Sequence, residues 1–431
     1  MQDAIVVGAG MAGSAAALKL SRAGIRSVVF EARDRVGGRG YLKPFGGEGE
    51  ALEYGGAWIT PTHGRIRSLV KELGLALRPR HPVTRRLWLR DGEIHDSGPT
   101  SEQDRAAHER ALARVAADAL LLKKGHREDE KGRPLTGVTF ADYLDRLNAP
   151  PATRALFSAW WTVSGSGDHR RVAASEFLAS CTYADGLAEG MIEVWADTVV
   201  PGMAALAQRM LDASGATLHL STPVKAIDQD TDGVSVTTAN GTTLRARHAV
   251  LAMGVNQMQA IRFSPPLPEG KAKIVAARHG GRAFKLWLKV KGVPVGTLVT
   301  GDGTGIEWAF AERESADGST LVVAFGIMRE ENRPGDRAWV EAETRRLFPN
   351  AYLVAYDWND WLNDAYANGT WVAAPAGLED LLEAHAWRPE GRVLFASSDY
   401  AREQAGWFEA AVISGEDAAQ AIIDCMKGTA A

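Results

Sequence analysis

Ala4-Ile5-Val6-Val7-Gly8-Ala9-Gly10-Met11-Ala12-Gly13-Ser14, with Ile25 to Phe30 and then Glu31 behind it, is the stretch that decides the fold. Ala4 to Val7 are apolar without alternation, the pattern of a short strand covered on both faces. Ser14 to Arg22 is rich in Ala, Leu and Lys and reads as a helix, which Gly24 ends. Ile25 to Phe30 is a second apolar strand, so the unit is strand, helix, strand. The three glycines fall at G-x-G-x-x-G, each with its own task. Gly8 permits a tight turn, Gly10 lets backbone approach a pyrophosphate, and Gly13 lets helix and strand pack closely. The pyrophosphate would rest on unpaired N–H groups at the positive end of the helix. Glu31, ending the second strand, places a carboxylate where it can accept both hydroxyls of a ribose. The stretch therefore predicts a Rossmann-like dinucleotide-binding unit.

The rest of the chain bounds what surrounds that unit. At 431 residues it is too long for one core and predicts two domains. A net charge of −4 gives no footprint for nucleic acid. The most basic stretch, Arg78 to Arg90, is broken by Pro79, Pro82, Leu87 and Trp88 and reads as a solvated loop and strand. Cys181 and Cys425 are the two cysteines and offer neither a metal spacing nor a disulfide framework. No run reaches a membrane span, and the apolar run Ala4 to Leu20 is interrupted by its glycines rather than followed by a cleavage site. The expected address is the cytoplasm, without metal or membrane, and a homodimer is left open. Thirteen Trp against eight Tyr is unusual; it fits either core packing or an aromatic wall around a flat or hydrophobic ligand.

Further elements follow from pattern. A helix is expected over 62–74 and a hairpin over 78–96 with Asp91-Gly92 as its turn. Residues 101–124 read as a helix, 125–137 as a charged, mobile loop, and 139–180 as more helix. A helix starts at Pro201-Gly202-Met203. Strands are expected at Thr217–Leu220, Thr222–Asp228, Gly233–Thr238, Thr242–Ala246 and His248–Ala252, with Asn240-Gly241 as a hairpin turn. Ser264–Pro268 reads as a crossover. Strands at 283–290, 296–300, 306–310 and 320–326, a helix at 336–347, a strand at Val393–Ala396 and a helix at Gly406–Met426 complete the chain.

The residues after Glu31 select the dinucleotide. Ala32-Arg33-Asp34-Arg35-Val36-Gly37-Gly38-Arg39 resembles the second fingerprint of the flavin amine oxidase superfamily, and Glu53-Tyr54-Gly55-Gly56-Ala57-Trp58 resembles that family's segment passing the flavin. The likeness runs from end to end. Thr222-Pro223-Val224 resembles the strand that meets the adenine, Gly281-Arg282-Ala283-Phe284-Lys285 fits Gly-x-x-x-Lys, and Trp358 to Gly377 resembles the strand and turn beside the flavin. Ser398-Asp399 and Gly406-Trp407-Phe408 fall in the C-terminal flavin block. Within the superfamily Gly280-Gly281-x-x-x-Lys285, Tyr356-Asp357-Trp358-x-Asp360-Trp361 with Gly369-x-Trp371-Val372-Ala373, and Ser398-Asp399 most resemble the bacterial 6-hydroxynicotine and nicotine oxidases.

The resemblance implies FAD as cofactor, an α/β fold, and an FAD domain of residues 1–78, 203–272 and 386–431 interleaved with a mixed-sheet and helical substrate domain of residues 79–202 and 273–385. It implies Gly8, Gly10, Met11, Ala12, Gly13, Glu31, Ala32, Arg33, Gly38, Arg39, Gly55, Gly56, Ala57, Trp58, Val224, Trp361, Ser398, Asp399, Gly406, Trp407 and Phe408 as the cofactor set. Lys285 is placed opposite the flavin's reactive nitrogen, with Trp371 and Trp407 as a pair of rings flanking the substrate and Trp160 and Val163 on the substrate side. Read alone, the alternating strand around Lys285 would put it in solvent. The implied activity is oxidation of a neutral, hydrophobic, cyclic or N-alkylated amine, with oxygen or another acceptor; a carbon–carbon desaturase or isomerase of the same superfamily is the alternative.

There are departures. Ser397 replaces the family's glycine, Ser398-Asp399 its Glu-His pair, and Val163 an asparagine of the hydroxynicotine oxidases. Thr370 stands where some monoamine oxidases tether the flavin through cysteine, so the expected attachment is noncovalent.

Overall fold

The computed structural model describes residues 1–98, 101–184, 186–188, 191, 196–401 and 403–428. Its first sheet has eight strands and is built around Gln2–Val7, which lies parallel between Ser27–Phe30 and Thr243–Leu251. Val7 pairs with both Phe30 and Leu251, so the ends of three strands meet at one level, and the turn after Val7 opens there. The helix Met11–Arg22 leaves that turn and packs under the sheet against the helices Met203–Ser214 and Phe408–Met426. Its run of buried alanines supplies a smooth face for this close packing. Gly13 allows the closest approach: a Cβ there would lie 1.9 Å from the Gly8 carbonyl oxygen.

The second sheet has seven strands, in the order Tyr352–Trp358, Ala283–Lys291, Thr320–Ile327, Trp308–Glu314, Thr297–Thr300, Arg85–Arg90, Glu93–His95. Period-2 alternation divides its faces. Leu286, Leu288, Val322 and Ala324 pack in one core, while Trp287, Trp308, Phe310, Val323 and Phe325 join another with the helices Phe140–Leu147, Pro151–Ser164 and Ala174–Cys181. A small sheet of Trp58–Ile59, Ala76–Pro79 and Asp197–Val200 lies between strands drawn from distant parts of the chain.

Most expected elements are present, and the differences have physical reasons. Thr242–Ala246 and His248–Ala252 are one strand, Thr243–Leu251, whose first half pairs in a hairpin and whose second half is buried between Gln2–Val7 and Val393–Phe395. The change in environment midway made one strand look like two. The Ser264–Pro268 crossover continues into an unforeseen helix, Glu269–Ala277, and the strand Tyr352–Trp358 was also missed. The charged stretch 125–137 is a loop wound on Asp129, whose buried carboxylate accepts the N–H groups of Lys131 and Arg133 at 3.0 Å each. Its charges serve an internal turn as well as solvent. Among the described residues no helix is long and apolar enough to cross a membrane, and no group of three His, Cys, Asp or Glu could hold a metal.

Candidate functional site

A cavity of about 380 Å³ runs from the turn after Val7 to the helical face of the second sheet. At its first end Gly8 has φ +104°, a conformation that favours glycine. The helix beginning at Met11 has no side-chain cap, so its first N–H groups remain available at the cavity wall. Glu31 is buried, and its two carboxylate oxygens accept the N–H groups of Ala9 (2.7 Å) and Arg33 (2.8 Å). Those two bonds fix the carboxylate at the cavity wall, which Val224 also lines. A bare glycine turn, an uncapped helix end and an oriented carboxylate fit the pyrophosphate and ribose of a dinucleotide.

The middle of the wall is the segment Glu53 to Trp58. Three consecutive carbonyls in it each accept a hydrogen bond from a distant side chain: Glu53 from Trp287 Nε1 (2.9 Å), Tyr54 from Trp361 Nε1 (3.1 Å), Gly55 from Lys285 Nζ (2.9 Å). Two of those donors, Lys285 and Trp287, are alternate residues on one strand, so the strand's pleat sets the spacing. Lys285 is only 4% exposed, which excludes the solvent-facing reading. Its ammonium lies 5.2 Å from the Trp58 ring and 5.8 Å from that of Phe325. Burial among these rings lowers its pKa to about 8, and the acidic Glu53 and Glu312 oppose that shift. Glu53 in turn is raised by burial, although its carboxylate accepts the N–H groups of Met203 (2.6 Å) and Tyr41 (3.2 Å).

The far end is aromatic. Trp371 is fixed by its Nε1, which donates to the Ser164 carbonyl at 2.9 Å, and stands edge-on to Phe325 with 6.3 Å between ring centroids. Trp407 is wedged edge-on against His63 (5.0 Å) and Tyr183 (5.9 Å). Burial lowers the His63 pKa to about 4, so the ring backing Trp407 is neutral at pH 7. Val163 lines this end with them. Glu31, at the opposite end, is the one carboxylate on the cavity wall among the described residues.

Of the residues singled out from sequence, three lie off the wall. Gly13 is behind it, at the helix–strand contact. Asp399 is buried one layer back, bonded to Arg39 Nη2 (2.5 Å) and the Val255 N–H (3.1 Å). Arg39 then donates through Nη1 to the Thr370 carbonyl at 2.7 Å, so Asp399 reaches the cavity through Arg39. Trp160 is also off it: the ring is buried against Phe157, while Val163, one turn further along the same helix, lines the cavity. The remaining candidates line the cavity. Sequence reading missed Phe325. It sits in an unbroken apolar strand where no position stands out, and only its pairing opposite Lys285 places it. Neither Cys181 nor Cys425 lines the cavity, and Thr370 does.

Residues 11–423 match the family model of flavin containing amine oxidoreductases. The chain is 30% identical over 438 residues to the (S)-6-hydroxynicotine oxidase of Paenarthrobacter nicotinovorans, spanning 98% of this chain and 100% of that protein. It is 27% identical to the pseudooxynicotine dehydrogenase of a Pseudomonas species over 99% of this chain and 87% of the relative. The structure of wild-type putrescine oxidase bound to putrescine superposes with a TM-score of 0.85 at 26% identity, covering 98% of this chain and 99% of that one.

Proposed function

The chain belongs to the flavin containing amine oxidoreductases, with FAD as their cofactor, and on that premise we propose that it oxidises a hydrophobic cyclic or N-alkylated amine of the nicotine type. The observation that carries this reading is that Trp371, Trp407 and Lys285 line one cavity whose single carboxylate among the described residues, Glu31, is at the opposite end.

Bound in the cavity, FAD supplies the acceptor for the hydride that leaves the carbon next to nitrogen. The chain's own residues prepare the donor. Removing that hydride requires the nitrogen lone pair, so the amine must react as the free base. An apolar aromatic end with no carboxylate among the described residues disfavours the ammonium form, because a cation brought there loses its hydration without an anion in exchange. The flat faces of Trp371 and Trp407 hold an apolar ring by contact and exclude water. Their orientations are locked by the Ser164 carbonyl on one side and the His63 edge on the other.

Lys285 Nζ gives one hydrogen to Gly55 and keeps the rest for a water or for negative charge arriving with oxygen, which a nearby cation favours. In the net reaction the amine loses a hydride to become an iminium, which for a primary or secondary amine loses a further proton to become an imine; oxygen takes the two electrons and two protons, one of them from solvent where the product stays an iminium, to become hydrogen peroxide, and water hydrolyses the product. The test is anaerobic mixing of the holoprotein with a panel of cyclic, N-alkylated and primary amines, read by loss of the flavin's visible absorbance, followed by oxygen and a peroxide assay. Bleaching by the apolar cyclic amines supports the proposal; a flavin left oxidised by the whole panel overturns it.

A further inference from the structure

An irregular segment, residues 359–369, crosses from the second sheet to the adenosine end of the cavity, where Ala365, Tyr366 and Ala367 line the wall together with Arg33. Arg33 follows Glu31 in the first sheet's domain, so the two sides of this contact come from opposite parts of the molecule. Arg33 Nη2 lies 2.5 Å from Asp364 Oδ1, with the side chains 11% and 23% exposed. The Arg33 guanidinium also sits 5.6 Å over the ring of Tyr366.

Asp364 is built for this position. The same Oδ1 accepts the Tyr366 N–H at 2.8 Å, and its carbonyl accepts the N–H groups of Ala367 (3.1 Å) and Asn368 (2.9 Å), so the segment is wound around it. The nearby Arg35 is committed elsewhere, donating to the carbonyls of Gly38 (3.0 Å) and Gly40 (3.3 Å) and resting on the Tyr41 ring. Behind the contact, Asn256 and Gln257 donate to the carbonyls of Asn368 and Ala367. Trp361 fixes one end of the segment through its bond to the Tyr54 carbonyl, Asn256 and Gln257 hold the other, and the stretch between them, Asp364 to Tyr366, is held to Arg33 by the ion pair and the ring contact.

We propose that Asp364 is a cofactor-retention residue: through Arg33 it clasps the 359–369 segment shut over the adenosine end of the cavity, and FAD leaves only when that ion pair opens. The clasp matters because the chain has Thr370, and no cysteine, at the cavity wall, so no thioether holds the flavin. Pyrophosphate binding at Met11 sets how tightly the cofactor is held; the clasp sets how fast it escapes. The inference rests on FAD as cofactor and is independent of the amine.

The experiment is the rate of FAD release from holoprotein diluted into an excess of an FAD-specific apoflavoprotein as scavenger, followed by flavin fluorescence, for the natural chain, Asp364→Asn and Asp364→Glu. Asn keeps an acceptor for the Tyr366 N–H while removing the charge. The expected result is release about fivefold faster in Asp364→Asn, the size of one partly buried ion pair, with Asp364→Glu nearer the natural rate. Raising KCl should speed release from the natural chain more than from Asp364→Asn, since only the former has the pair to screen. Release from Asp364→Asn at the natural rate, or equal salt responses in both, overturns the proposal. If Asp364→Asn does not fold, the salt response of the natural chain decides: salt-independent release overturns it.

Discussion

Lys285 Nζ donates to the carbonyl oxygen of Gly55 at 2.9 Å, joining a buried strand of the second sheet to the irregular glycine segment in the middle of the cavity wall. A cation held this way has been taken out of water without a carboxylate in direct contact. The consequence is a lowered pKa, to about 8 from the ordinary 10.5.

Replacing Lys285 with Met therefore has two opposite effects. Below pH 8 the native chain must carry the buried charge, whereas the unfolded chain stays protonated up to about 10.5. Between those values the unfolded state binds more protons, so stability rises with pH across pH 8 to 10.5 and the charge is a cost below it. Lys285→Met should raise apoprotein stability at pH 7 by on the order of 1–3 kcal/mol, seen as a higher midpoint in urea. It should also slow turnover while FAD stays bound. A pH profile of turnover should lose an inflection near 8 in the variant. Unchanged kinetics would remove Lys285 from the reaction.

Glu31 presents a second testable geometry. Its carboxylate is aimed by the Ala9 and Arg33 N–H groups, leaving its outward lone pairs for a ligand. Glu31→Gln preserves size but turns one acceptor into a donor facing those N–H groups. The expected result is a chain purified largely without flavin, with FAD affinity reduced by roughly tenfold or more, measured by fluorescence titration of apoprotein. A fully loaded variant would count against the ribose assignment.

Gly13 separates structure from ligand contact. It touches no part of the cavity, yet a Cβ there would lie 1.9 Å from the Gly8 carbonyl oxygen and 3.1 Å from the Ala252 side chain. Backbone on the turn itself is the obstacle, so no rotamer relieves it. Gly13→Ala should destabilise by about 2–4 kcal/mol and lose FAD through displacement of the turn. A variant that melts with the natural chain would show that the helix can move away freely.

What could be read from the chain divides along physical lines. Local geometry was legible: the turn at Gly8 and Gly10, the uncapped helix and the strand-end Glu31 stand out because all are determined within one strand–helix–strand unit. Lys285 was ambiguous, since period-2 alternation gives two faces and says nothing of which is covered; the helices packed on the second sheet decide it. Trp160 and Val163 were both placed at the substrate by resemblance, but the Trp160 ring is taken up by packing against Phe157, which sequence does not show, and only Val163 reaches the cavity. Asp364 and Phe325 could not be found at all. One needs the contact between residues far apart in sequence, the other the register between two strands.

That register yields the last prediction. Phe325 pairs opposite Lys285, lies edge-on to Trp371, and contributes to the wall of the aromatic slot without holding any backbone atom. Its ring also leans on Trp58 and Trp308, at 6.0 Å and 5.8 Å, so removing it leaves space that only the cavity can claim. Phe325→Leu keeps an apolar wall and shortens it. The variant should fold with a loss of about 1–2 kcal/mol, retain FAD, and shift specificity: kcat/KM should fall for the smallest cyclic amines, which lose contact, and rise relative to them for amines bearing a bulky ring. Phe325→Ala should exaggerate the same trend with a larger stability loss. Comparing kcat/KM across an amine series of graded size checks it, and a series whose rank order is unchanged in both variants would place the substrate away from Phe325.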